Sequence, residues 1–382
     1  MISDKNYLLP ALPSELPADI LEKASLLPAK AAFLDGRLAP ATRARLAALL
    51  EVTNTYYSNL IEGQYSAPAD MQRAQAAPKR ERKQLTDLAM QQLGVQTGFE
   101  RLMRRWDKDI VWQTMFSPWL VQQAHKALFR YAPPEQLKLH NSERYLVPGK
   151  LRSEPDEQVE VGNHLAPDAQ VVSPMLELLQ QFMGSYSDPR TRLIATLAYH
   201  HRLAWVHPFM DGNGRLSRFL FHYALCQSGK LTNGLLLPIS VAMKRNEAQY
   251  LTALQSFSMQ ARQQWDVRWI DGEQYDFRFK GKASLYQFWD ATPMVEFSLQ
   301  MAQQALDKDL REATDFLARF DRVYRTIDEQ FDVRGSDLTT LVISSLQNDG
   351  RVLKSRRKQF QLTVQAVVFD AIEEVCAQVM HD

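Results

Sequence analysis

The stretch His207-Pro208-Phe209-Met210-Asp211-Gly212-Asn213-Gly214-Arg215-Leu216-Ser217-Arg218 decides how the chain is read. It sets a base, a carboxylate, a Gly-Asn-Gly turn and two arginines within twelve residues. Downstream, Leu216, Phe219, Leu220, Tyr223 and Ala224 form an i, i+3, i+4, i+7, i+8 stripe, which predicts an amphipathic helix. Gly229 predicts its stop. The turn at Gly212, Asn213 and Gly214 then lies at the start of that helix. Free N–H groups and the positive end of the helix dipole attract anions there. The glycines let the backbone wrap a phosphate. Arg215 and Arg218, three apart, lean over the same end. Asp211 is a hard oxygen ligand suited to Mg2+ on a polyphosphate. His207 can take a proton near neutral pH.

The same residues resemble the signature of the Fic (Fic/Doc) family, histidine-x-Phe-x-Asp/Glu-Gly-Asn-Gly-Arg-x-x-Arg, at every fixed position. The resemblance implies a mainly α fold. It would comprise a helical core with a small β-hairpin flap, an N-terminal helical region and a C-terminal helical or winged-helix-like module. It also implies a protein adenylyltransferase, moving AMP from Mg-ATP to a Ser, Thr or Tyr hydroxyl of a target protein. In that scheme His207 deprotonates the hydroxyl and Asp211 holds Mg2+. Gly212, Asn213, Gly214 and Arg215 cradle the α- and β-phosphates, and Arg218 reaches the γ-phosphate. The implied partners are ATP and a protein target, the chain itself included, and the family often pairs as homodimers.

Length, composition and charge set the frame. The chain has 382 residues, 45% hydrophobic and 23% charged, with a net charge of +1. These values describe an ordinary globular protein of two or three domains. They give no reason to expect a nucleic-acid or acidic-membrane partner. Cys226 and Cys376, the only cysteines, exclude a disulfide framework and a multi-cysteine zinc site. No signal peptide and no stretch of roughly 20 apolar residues is visible, so a cytoplasmic location without membrane contact is expected. No Gly-x-x-x-x-Gly-Lys-Ser/Thr occurs, which disfavours a P-loop nucleotidase.

Three regions are expected: an N-terminal helical region at 1–112, a catalytic domain at 113–262 and an aromatic-rich connection with a C-terminal module at 263–382. Pro10, Pro13, Pro17 and Pro28 predict an extended or loosely packed start without a long early helix. A helix is predicted from about Ala39, ending in Ser58-Asn59-Leu60-Ile61-Glu62-Gly63. A glutamate in a last turn sits on the wrong end of the dipole and would gain from an arginine opposite. On its own the pattern also suits a solvated surface glutamate. Beside the signature it resembles the family's inhibitory motif, Ser/Thr-x-x-x-Glu-Gly/Asn. That resemblance implies that Glu62 pairs with Arg218 and blocks a productive γ-phosphate, with Ser58 in support. Arg80, Arg82 and Lys83 read as a solvated helix face.

Ser117-Pro118 predicts a helix start, with Val121, Ala124, His125 and Leu128 on one face and His125 as a packing residue. Gln158 to Val161 reads as a strand, Gly162-Asn163 as a hairpin turn and His164-Leu165 as the return. By resemblance Val159, Val161, Gly162 and Asn163 belong to a flap that docks target as an added strand. An irregular surface loop is the alternative. A helix over 191–206 delivers His207, with His200 packed rather than metal-binding. Beyond Leu235-Leu236-Leu237-Pro238, one helix is predicted through Ser240, Asn246, Tyr250 and Leu254. Ser240, Asn246 and Tyr250 are loose candidates for an adenine pocket, with plain packing as the equal alternative.

Trp265, Trp269, Tyr275, Phe277, Phe279, Tyr286, Phe288 and Trp289 suggest a packing layer between domains. Asp271-Gly272 and Lys280-Gly281-Lys282 read as turns. A long helix is predicted from Pro293 toward Phe320 and a last one over Val364 to Val379. Arg351, Lys354, Arg356, Arg357 and Lys358 read as a solvated face, with a DNA contact as the alternative. Two rival functions follow. One is an enzyme that also removes AMP through a water oriented by Glu62. The other is a DNA- or partner-binding regulator with a nucleotide-sensing site.

Overall fold

The computed structural model describes residues 17–36, 46–47, 50, 54, 57–62, 116–130, 132, 134–139, 143–162, 164–228, 237–271, 274–282 and 291–381. They fall into two compact units, one within 1–37 and 47–306, the other within 38–46 and 307–382. The boundary expected at 262/263 falls inside the first unit. The fold is mainly helical with two short β-hairpins.

The first unit begins with α1, Ala18–Gly36, which corrects the expectation of an irregular start. Pro28 lies inside this helix. An interior proline removes a backbone donor and crowds the carbonyl four residues earlier, at a cost of about 3 kcal/mol. Ala, Leu, Glu and Lys dominate the rest of the sequence and favour helix. Ile20, Ala24 and Leu27, on one face, are buried. Burial of the Ile20 and Leu27 side chains contributes about 1.5–3 kcal/mol each, enough to offset the proline. The expectations for Pro10, Pro13, Ala39, Gly63, Arg80, Arg82 and Lys83 lie outside the described residues. Residues 57–61 are helical and Glu62 is in a turn.

α2, Pro118–Leu128, starts as its sequence predicts: Ser117 Oγ accepts from Leu120 N–H and proline fills the first helical position. The flap is shorter than expected. β1, Glu160–Val161, pairs antiparallel with β2, His164–Leu165. Val159 lies just outside the strand, its carbonyl accepting from Ala166 N–H at 3.0 Å. Gly162 turns at φ +56°, and Asn163 lies outside the described residues. α3, Val172–Gly184, then leads to α4, Pro189–Val206, which Asp188 caps through the N–H groups of Arg190 and Thr191.

α5, Asn213–Ser228, carries the signature. Leu216, Phe219, Leu220 and Tyr223 are buried along the predicted stripe. Its packing against α4 is the main helix–helix contact of the unit. The single helix expected through Ser240 and Leu254 is two: α6, Ile239–Arg245, and α7, Glu247–Arg262. Asn246 breaks them apart at φ −116°, ψ 38° and donates to Ala242 O and Gln304 Oε1.

The aromatic stretch forms a hairpin, β3 (Trp265–Asp271) with β4 (Gln274–Phe279), where only turns were expected. Alternation of aromatic and charged residues, Trp-Asp-Val-Arg-Trp and Tyr-Asp-Phe-Arg-Phe, is the strand signal that was passed over. Trp269 and Tyr275 are exposed, so these two do not form a packing layer. Tyr286, Phe288 and Trp289 lie outside the described residues. α8, Thr292–Gln304, closes the unit against α1, α4, α6 and α7.

A π-helical turn at Ala305–Asp309 interrupts the long helix expected from Pro293. The second unit contains α9 (Leu310–Asp328), α10 (Gly335–Leu346), α11 (Lys354–Phe360) and α12 (Ala366–His381). Val323, Ile327, Leu338, Leu341, Val368 and Ile372 sit in its core. Residues 307–381, all described, contain no strand, so the module is helical without a wing. Arg357 reaches Asp370 and Glu373, both at 2.9 Å, and so belongs to the packing of α11 on α12. Among the described residues no helix is long and apolar enough to cross a membrane.

Candidate active site

Two helix ends meet in the first unit: the C-terminus of α4 and the N-terminus of α5. The last carbonyls of a helix lack partners in its own ladder. Here each is tied. Leu203 O accepts from His207 N–H at 3.1 Å, and Ala204 O accepts from His207 Nδ1 at 3.2 Å. Trp205 O accepts from His164 Nε2 at 2.8 Å, and Val206 O from Arg152 Nη2 at 3.3 Å. The ties continue past the helix: His207 O accepts from Arg152 Nε at 2.7 Å and Pro208 O from Arg152 N–H at 2.9 Å.

His207 itself is left-handed, at φ 48° and ψ 60°. That conformation costs an L-residue about 1–2 kcal/mol. Because a carbonyl can only accept, Nδ1 carries the proton toward Ala204. Nε2 is then the lone-pair nitrogen, and the ring lines the cleft. Burial, then His164 and Arg152, pushes the imidazole down to about 3, so the ring is neutral at pH 7.

At the other helix end Gly212 takes φ +79°, and a Cβ there would collide with Phe129 and Leu128 side chains. Leu216 N–H returns to Gly212 O, so the N–H groups of Asn213, Gly214 and Arg215 precede the ladder of α5. The Asn213 side chain is committed to the loop: Oδ1 accepts from Phe209 N–H at 2.9 Å and Nδ2 donates to Phe209 O at 2.7 Å. Its backbone is what remains to meet an anion. Asp211 is half-exposed, with Oδ1 accepting from Gly212 N–H at 2.6 Å and Oδ2 lying 3.4 Å from Arg215 Nη2. Arg215 is buried over the Phe129 ring at 5.2 Å. His125, the packing residue expected, stacks on Phe209 at 3.7 Å between centroids. It accepts from Gly149 N–H and donates to Asp211 O, holding the loop from beneath.

Arg218 is fully buried and makes four contacts. Nε donates to Ser58 Oγ at 3.0 Å, and Nη2 to Ser58 O at 2.8 Å and Glu62 Oε1 at 2.7 Å; Nη1 lies 3.4 Å from Tyr250 Oη. Burial alone would lower its pKa, but Glu62 and Tyr250 outweigh that and raise it. The Glu62 carboxylate also lies over Gly214, where any added Cβ would strike it. One carboxylate thus occupies both the open helix end and the buried guanidinium.

A cleft of about 340 Å³ opens beside these groups, within the usual range for small-ligand pockets. Glu62, His207, Gly214 and Arg218 line one end, and Val161, Gly162 and His164 of the flap line a side. Tyr250, Leu251, Leu254, Gln255 and Ser258 of α7 line the opposite wall. Of the loose adenine-pocket candidates only Tyr250 reaches the cleft. Ser240 Oγ pairs with His222 Nε2 at 3.2 Å, and Asn246 holds the joint of α6 and α7. The Leu251–Ser258 face was missed, although exposed Leu251 on an otherwise amphipathic helix is the signal that marks it. Arg152 and the tie made by His164 were missed as well, since long-range bonds to carbonyls leave no periodic trace.

Among the described residues no three His, Cys, Asp or Glu side chains gather as a metal site. His200 is packed, stacked on Tyr250 at 5.7 Å. His125, His200, His201 and His222 are all buried. Burial holds His125 at about 4, His201 and His222 at about 3 and His200 well below its ordinary value. Unfolding would return each to about 6.5, so the unfolded chain binds more protons below that pH. Stability is therefore full above pH 6.5 and declines as pH falls toward 4, by at most about 1.4 kcal/mol per unit for each histidine. Thermal melts at pH 7.5, 6.0 and 5.0 should show a midpoint falling steeply over the last step. A flat midpoint would contradict it.

The fold and site define a helical protein in which the open N-terminus of one helix lies beside a neutral imidazole. Residues 115–225 match the Fic/DOC family, so this part of the chain carries a Fic domain. Over 73 residues it is 33% identical to the protein adenylyltransferase Fic of Drosophila persimilis, covering 19% of this chain and 14% of that one. Over 95 residues it is 30% identical to the same-named protein of Drosophila mojavensis, covering 24% and 17%. The match thus spans less than a fifth of these curated relatives. A Fic family protein from Desulfovibrio desulfuricans G20 superposes with a TM-score of 0.52 at 18% identity, covering 94% of this chain and 89% of that one. A Fic domain containing signaling protein from Bacteroides thetaiotaomicron VPI-5482 gives 0.52 at 13% identity, covering 76% and 96%. These two share the fold.

Proposed function

We propose that the protein is an adenylyltransferase that moves AMP from Mg-ATP to a protein hydroxyl, and that Glu62 holds it inactive. One observation carries the reading: the Glu62 carboxylate rests between Gly214 and Arg218, in a cleft that His207 also faces. A carboxylate in that position stands in for a phosphate. The N–H groups at the start of α5 and Arg215 suit the α- and β-phosphates, and Arg218, freed of Glu62, suits the γ-phosphate. The apolar wall of Leu251 and Leu254 opposite Val161 suits the base, with Tyr250 below and Gln255 available for hydrogen bonds.

Half-exposed Asp211 fits Mg2+, an ion that commonly takes one carboxylate, substrate phosphates and waters. Bound there, it would neutralise charge on the departing pyrophosphate. The target hydroxyl oxygen attacks the α-phosphorus as the bond to the β-phosphate oxygen breaks. The hydroxyl proton passes to His207 Nε2. Positioning and charge stabilisation supply the rate.

The test follows the label. With the Glu62→Gly protein, cell extract, Mg2+ and ATP labelled on the α-phosphate, protein should gain label beyond that in extract alone; ATP labelled on the γ-phosphate should add none above the extract. Label from the γ-position would make the protein a kinase and sink the reading. A second activity has one support: Glu62 lines the cleft beside His207, where it can orient a water. Release of AMP from a pre-modified target with Mg2+ and no ATP would establish it.

A further inference from the structure

We infer that Arg152 is a positioning residue that fixes the aim of His207 and couples it to the flap; the inference rests on the adenylyltransferase reading. Arg152 is fully buried. Its guanidinium donates to Val206 O and His207 O, on the two sides of the left-handed residue, and its own N–H donates to Pro208 O. The same guanidinium reaches Glu157 O at 2.9 Å and Pro167 O at 3.0 Å. Those two carbonyls flank the β1–β2 hairpin on either side. One side chain therefore ties the backbone that carries the base to the backbone that carries the flap.

The geometry asks for arginine specifically. Four carbonyls at diverging angles need a planar fork with several donors, and a lysine ammonium offers one point charge. A left-handed histidine persists only where its surroundings over-determine it. With the clamp loosened, the Nδ1–H bond to Ala204 O and the direction of Nε2 are no longer enforced. A misplacement of about 1 Å at a reacting group can cost on the order of 10² in rate.

The experiment uses full-length Arg152→Lys and Arg152→Gln, each also carrying Glu62→Gly so that turnover is measurable. The expected result is kcat lower by about 10–10², with KM for Mg-ATP changed less than about twofold. In nitrogen-15 spectra of the histidine rings, the single Nδ1–H tautomer of His207 should give way to a mixture. Unchanged kcat with an unchanged His207 spectrum overturns the inference. A loss of activity that only follows a loss of helical signal or of Mg-ATP binding also overturns it, leaving Arg152 a folding role alone. If the Glu62→Gly parent itself transfers nothing, the enzymatic reading fails, while the His207 spectra still decide whether Arg152 sets the ring.

Discussion

Glu62→Gly should raise AMP transfer by about 10². Glu62 gives Arg218 a charge-assisted bond at 2.7 Å and covers Gly214 at the open end of α5. Hydrogen bonds to charged groups contribute about 1.5–3 kcal/mol each. Removing that competitor returns the same energy to the phosphate that replaces it, and each 1.4 kcal/mol is about tenfold. Initial rates of label incorporation from α-labelled ATP, wild type against variant at saturating Mg2+, measure the change. Equal rates would remove Glu62 from regulation.

The same substitution makes a second, opposite-signed expectation. Without Glu62 the Arg218 guanidinium stays buried, with Ser58 and Tyr250 but no carboxylate. Breaking a fully buried pair from one side costs about 3–5 kcal/mol, and the partial exposure of Glu62 makes the cost here smaller. The variant alone should therefore melt below wild type. Mg-ATP should stabilise it more than it stabilises wild type, because a phosphate restores the lost counter-charge. Higher activity together with lower intrinsic stability is the signature of a carboxylate that occupies a ligand's place.

The sequence made one half of this site readable and left the other half silent. Residues 207–218 are contiguous, and each works through the local backbone: a glycine at φ +79°, an asparagine bonded to Phe209, arginines one turn apart. Local chemistry of this kind leaves a pattern. Glu62 was legible only beside the signature, by resemblance to the family's inhibitory motif, because a glutamate at a helix end suits solvent as well as a cation and Arg218 lies 156 residues away. Arg152 bonds carbonyls 54 and 55 residues along the chain, and a carbonyl has no residue identity to read. The same limit explains α1: Pro28 speaks locally against a helix, and burial of Ile20 and Leu27, a tertiary effect, decides for one. In α7 the spacing was visible, but which face meets the cleft depends on the break at Asn246.

His207→Asn, made in the Glu62→Gly background, should lower kcat by about 10²–10⁴, the usual contribution of a general base. Asparagine is the fitting replacement. The position is left-handed at φ 48°, a region asparagine tolerates better than alanine, so the loss reads chemistry rather than backbone strain. Mg-ATP binding should stay within about twofold, since the phosphate contacts belong to α5. The pH profile is the sharper test. In the folded protein the His207 imidazole is pushed down to about 3, so it is already neutral at pH 5. A base with an ordinary value near 6.5 would lose most of its deprotonated form between pH 7 and 5. The Glu62→Gly rate should therefore stay nearly level over that interval, measured with short assays in which the protein remains folded. A tenfold fall centred near pH 6.5 would mean that the ring is more open to water than its burial and its bond to Ala204 O allow, and that its role as a preset neutral base is wrong.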